Sequence, residues 1–81
     1  MKNIPRDKLE DITLALAYAT GWEENGVVRS WKSYPYEIIN SLLEKKLISF
    51  AFKAKSMFFT PEGLEKAKAL AEKYFSEKIS Q

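Results

Sequence analysis

The chain has 81 residues, 46% of them hydrophobic and 30% charged, the composition of a single soluble globular domain spanning residues 1–81. With no cysteine and no histidine, it excludes disulfides, thiolate and imidazole metal sites, Ser/His and Cys/His nucleophile systems and histidine proton shuttles together. The formal net charge is only +2 and its excess is local: residues 34–59 carry four basic and two acidic side chains, while residues 1–33 carry five of each and residues 60–81 four of each.

A first helix is expected to begin near Pro5 or Asp7. Proline suits the first helical turn because its missing N–H is not needed there, and Asp7 with Glu10 can form a capping box. Leu9, Ile12, Leu16 and Ala19 recur at helical spacing and define the expected inner face. Leu14, Ala15, Ala17 and Tyr18 make the second half apolar on nearly every side, as in a central helix or one covered by another subunit. "LALAYATG", Leu14 to Gly21, shares the small-x-small ending of a signal peptide. Asp7, Glu10 and Asp11 fill the region that should be positive, however, so the stretch reads as a buried helix of a cytoplasmic protein. No apolar run is long enough to span a membrane.

Gly21 ends this helix, and "GWEENG" reads as a loop. "VVRSWKSY" fits either a short strand or a helical turn. Pro35 opens a second helix running through Lys46, with Ile38, Ile39, Leu42, Leu43 and Leu47 on one side. Glu37, Ser41 and Glu44 lie opposite, flanked by Asn40 and Lys45. Ile48, Phe50 and Phe52 alternate with Ser49, Ala51 and Lys53 in the period of a half-buried strand, and Met57 to Phe59 is its return strand. The turn around Lys53 to Lys55 has no glycine, asparagine or proline, which predicts a longer or irregular connection. Thr60, Pro61 and Glu62 then start a last helix: a capping hydroxyl, a first-turn proline and an acid at the positive end of the dipole. Its apolar stripe runs from Leu64 to Ile79, and its charges are spaced three or four apart as on a solvated face.

This order predicts an α+β domain, with three main helices and a β-hairpin, and it is the order of a winged-helix domain. "LLEKKLI", Leu42 to Ile48, resembles the end of a winged-helix recognition helix entering the wing. "FFTPEG", Phe58 to Gly63, resembles the wing-to-helix signature of MarR-like and PadR-like regulators. "SWKSYPYEIINSLLEKKLIS" with "KAKSMFFTPEG" is similar to a family of small, uncharacterised bacterial winged-helix proteins, over roughly residues 9–75. Two departures stand out. Relatives usually have glycine where this chain has Lys46, at a helix end that commonly needs a left-handed residue. The segment between the first and second helices, with Gly21, Gly26 and Pro35, leaves the helix that normally supports a recognition helix absent or reduced to a turn.

The resemblance implies a non-enzymatic binding domain without cofactor or metal, either a small DNA-binding regulator or a protein-interaction module. With double-stranded DNA as partner, the second helix would offer Tyr36 and Asn40 to base edges, while Arg29, Lys32, Lys45, Lys53 and Lys55 hold phosphates. Glu37 and Glu44 at the centre of that face oppose this, because they repel phosphate. Trp22, Trp31, Tyr34, Tyr36, Phe50, Phe52, Phe58 and Phe59 could stack bases, but their alternation with small or polar residues fits core packing better. A homodimer is expected through Tyr74, Phe75 and Ile79 of the last helix, meeting Leu14 and Tyr18.

Overall fold

The computed structural model describes residues 4–51 and 53–79, with side chains described as far as Phe75. In chain order the elements are α1 (Arg6–Ala19), β1 (Trp22–Glu24), β2 (Val27–Trp31), α2 (Tyr36–Glu44), β3 (Ile48–Ser49), β4 (Ser56–Phe59) and α3 (Pro61–Ile79). The strands form one antiparallel sheet in the order β1-β2-β4-β3. The fold is α+β, as expected. No helix among the described residues is long and apolar enough to cross a membrane.

The expected loop at "GWEENG" is instead the start of a hairpin. Asn25 and Gly26 both have positive φ, 55° and 79°, the backbone that a two-residue type I′ turn requires. Glu24 therefore pairs with Val27, Glu23 with Val28 and Trp22 with Arg29. The ambiguous residues after the turn form a strand because β4 offers a second edge: Arg29, Ser30 and Trp31 pair with Phe58, Met57 and Ser56.

The inner face expected for α1 is out of phase. Ile12 and Leu16 are each 41% exposed and Ala19 is exposed, whereas Glu10, Thr13, Leu14, Ala15 and Ala17 are buried. A helix with an apolar second half has no unique periodic solution, and the choice here follows its partners. The Glu10 carboxylate accepts hydrogen bonds from Ser41 Oγ of α2 and from Nζ of Lys45 at the end of that helix, both at 2.5 Å, so an acid can occupy an interior position. The capping box is consequently absent. Pro5 is the N-cap without a side-chain bond, and Asp7 accepts from the Lys8 N–H.

α2 begins one residue after Pro35 and ends at Glu44, two residues short of the expected Lys46. Its end is a Schellman motif: the Lys46 N–H donates to the Leu43 carbonyl and the Leu47 N–H to that of Leu42. Lys46 is the left-handed residue, with φ 63°, where relatives are expected to carry glycine. Leu42 and Leu47, the pair that this motif brings together, both lie in the core. The strand expected through Phe52 is shorter than predicted, since only Ile48 and Ser49 pair with β4. The connection is irregular, as expected, with Lys53 at φ 72° and an Ala54 N–H bond to the Ala51 carbonyl. Phe52 lies outside the described residues.

Thr60 caps α3 as predicted: its Oγ1 accepts from the Gly63 N–H at 3.0 Å and donates to the Lys46 carbonyl at 2.7 Å. The helix start is thereby pinned to the end of α2. Gly63 is buried against Leu47, whose carbonyl oxygen would lie 1.7 Å from an added Cβ. Leu14, Leu42, Ile48 and Met57 are fully enclosed, and α1 with α3 makes the most extensive contact between elements.

Candidate nucleic-acid interface

Alternation along the strands sends Ser30, Ile48, Met57 and Phe59 inward, all of them buried. The opposite face carries a row across all four strands, Trp22, Arg29, Phe58 and Ser49, set by direct pairing. Trp31 and Ser56 form the adjacent pair. Arg29 is at the centre: Nη2 donates to Ser56 Oγ at 3.0 Å, Nε lies 3.8 Å from Glu24 Oε1, and the guanidinium lies 5.7 Å from the Phe58 ring centre. The Trp22 and Trp31 rings are 4.9 Å apart at 50°, and Trp22 Nε1 donates to Glu24 Oε1 at 3.3 Å. Trp31 is nonetheless 56% exposed. Between these side chains lies an open depression of about 600 Å³.

The β3–β4 connection adjoins the same end of the sheet. The Lys32 N–H donates to the Lys55 carbonyl at 3.1 Å, extending the β2–β4 pairing beyond the strands. Lys32 Nζ lies 3.8 Å from the Phe50 ring centre, and Lys53 and Lys55 are exposed nearby in the chain.

α2 is different in character. Tyr36 is 77% exposed and Asn40 half-buried, but they share their side with exposed Glu37 and Glu44, and Arg6 Nη2 lies 3.5 Å from Glu37. Burial pushes the Glu10 carboxyl up, yet the bonds from Lys45 and Ser41 and the attraction of Lys45 and Arg6 hold it below the usual value. The bond to Glu10 raises the Lys45 ammonium above its usual value.

Residues 5–77 match the family described as Domain of unknown function (DUF6429). The chain belongs to this family. No curated protein and no solved structure matches it.

In this DUF6429 domain the seven residues expected to contact DNA fall into separate groups. Arg29 lies on β2, Lys32 just past its end, and Lys53 and Lys55 in the β3–β4 connection, whereas Tyr36 and Asn40 sit on α2 among acids. Lys45 is engaged by Glu10, and its charge is balanced there. The expected core packing holds for some of the aromatic residues and not for others. Of those described, Phe59 is buried, Tyr34 and Phe50 pack partly buried against the core, Trp22 and Phe58 are half-buried on the outer sheet face, and Trp31 and Tyr36 are exposed. The Asn25-Gly26 dipeptide is the signal that locates Trp22 and Trp31: once it makes a hairpin, alternation puts them on one face with Arg29.

The expected dimer surface also changes. Leu14 is fully enclosed by its own chain and cannot meet a second copy, because α1 turns that side toward the core. Tyr18 is half-buried edge-on to Phe59, with ring centres 6.4 Å apart. Tyr74 is 37% exposed, Phe75 is half-buried, and the Ile79 side chain lies outside those described.

Proposed function

We propose that this domain is a non-enzymatic nucleic-acid-binding module of winged-helix type, using its outer sheet face and β3–β4 connection in place of α2. In this reading β2, β4 and β3 form the three-stranded wing sheet, α2 occupies the position of the recognition helix, and the β1–β2 hairpin is an addition at the sheet edge. Residues 32–35 contain no helix among the described residues, so α2 lacks the support that sets a docking angle in helix-turn-helix readers. The observation that carries the proposal is the segregation of charge: Arg29, which also meets Glu24, lies on the sheet with Lys32, Lys53 and Lys55 around the β3–β4 connection, whereas the exposed charges of α2 itself are Glu37 and Glu44, and Lys45 beyond its end is bonded to Glu10. Phosphate attraction supplies most non-specific affinity, which favours the first surface over the second.

Fluorescence anisotropy with labelled nucleic acid of random sequence, titrated across salt, tests this. Three or four phosphate contacts predict a log-log salt slope of about −3 to −4 on duplex and about −2 to −3 on single strands. Lys53→Ala with Lys55→Ala should weaken binding, and Tyr36→Ala with Asn40→Ala should leave it unchanged. Absence of binding at low salt to either form refutes the proposal. The exposure of Ile12 and Leu16 on α1 favours a second reading, a protein contact that includes self-association, and sedimentation of the wild type against Leu16→Glu tests it.

A further inference from the structure

The Trp31 indole is 56% exposed and is held in that position by its surroundings, so its flat face is available to a ligand. The Trp22 ring lies 4.9 Å behind it, and Trp22 is itself tied through Nε1 to Glu24. The strand carrying Trp31 is paired on both sides, by β1 and β4. A platform ordered before binding loses little side-chain freedom when a ligand arrives. The depression of about 600 Å³ beside it is lined by Trp22, Trp31, Arg29, Ser56 and Glu24, an apolar wall with donors and an acceptor at its edge. That combination suits the flat face and polar edge of a nucleobase. A duplex hides its base faces in the stack, so of the two forms of nucleic acid it is the single strand that offers an unpaired base to the indole.

Charge selects the same class of ligand. Arg29, with Lys32, Lys53 and Lys55 around the nearby β3–β4 connection, outnumbers the exposed acids of β1, Glu23 and Glu24, the second of which Arg29 meets at 3.8 Å. We infer that Trp31 is the stacking platform for an unpaired base, held by Trp22 and flanked by Arg29, so that the ligand is single-stranded DNA or RNA. This rests on the nucleic-acid reading above and narrows it.

The test uses the full chain with a short labelled oligodeoxyuridylate, an oligouridylate and a duplex of random sequence, read by anisotropy and by tryptophan fluorescence. A stacked base quenches indole emission, so wild-type fluorescence should fall on adding either single strand and stay level with duplex. Trp31→Ala should weaken single-strand affinity about 5- to 150-fold, the range that loss of one stacked base represents. Trp31→Phe keeps an aromatic face and should retain most of the affinity, which covers the case in which the alanine variant folds poorly. Quenching with single-strand preference supports the inference, and the tighter of the two strands names the sugar. Equal binding of duplex and single strands without quenching overturns the inference and leaves the nucleic-acid reading standing. Binding to none of the three overturns both.

Discussion

Replacing Gly63 with alanine should destabilise this domain, although glycine-to-alanine changes within helices ordinarily gain about 1 kcal/mol. The added Cβ would lie 1.7 Å from the Leu47 carbonyl oxygen, 2.6 Å from its carbonyl carbon and 2.8 Å from its Cα. All three are backbone atoms, so no side chain can rotate away. The groups that would have to separate are tied together: Thr60 donates from N to the Leu47 carbonyl at 3.2 Å and from Oγ1 to the Lys46 carbonyl at 2.7 Å. Further along the same helix, Ala67 and Ala71 are buried and resist its displacement. Overpacking of about 1–3 kcal/mol, with one hydrogen bond weakened at about 1 kcal/mol, exceeds the propensity gain and leaves a net loss of about 2 kcal/mol. For a domain of this size that lowers Tm by about 8–16 °C. Thermal melting followed by far-UV circular dichroism reads it directly. A Tm for Gly63→Ala at or above that of the parent would show that the close approach of α3 to Leu47 is not what places glycine here.

The other predictions concern single positions. Lys46 sits at φ 63°, so Lys46→Gly should be neutral or raise stability by up to about 1 kcal/mol, and a clear fall in Tm would contradict the left-handed helix end. Gly26 has φ 79° with no neighbour within 4 Å of an added Cβ, so Gly26→Ala should cost only the backbone strain of about 1 kcal/mol; a larger loss by chemical denaturation would contradict this. Glu10 has its folded pKa lowered from 4.5, so its charged form contributes stability above that value, and the contribution is lost as pH falls through the folded value. Glu10→Gln should therefore unfold at lower denaturant than wild type at neutral pH, with the gap closing in acid. A gap independent of pH would remove the charge from the explanation. The Lys45 pKa is raised, so the same pair also weakens at the alkaline end, as pH rises through the folded lysine value.

Much of this architecture was legible residue by residue. The Thr60-Pro61-Glu62 start of α3, the core-facing side of α2 and the irregular β3–β4 connection come from signals a few residues long, whereas the left-handed residue at Lys46 was expected from the family resemblance. Asn25-Gly26 was equally local, and its turn explains why residues 22–31 form a hairpin in place of the expected loop. The candidate site was less legible, because its members were identified as cations and aromatics without the face that each would occupy. Trp31 and Phe59 look alike in an alternating pattern, yet one is 56% exposed and the other 5%.

By itself, then, the sequence determined the places where backbone chemistry leaves few alternatives: where the helices start, and that Met57 to Phe59 extends. Tertiary structure decided the side of each element that meets solvent. α1 turned Glu10 inward and left Ile12 and Leu16 outside because Ser41 and Lys45, more than thirty residues away, satisfy the carboxylate. Trp22, Arg29 and Phe58 share a row only because β2 pairs with β4 across a gap that includes all of α2. Local conformation is governed by sterics and hydrogen bonds between near neighbours, whereas burial depends on what the far end of the chain brings to each face.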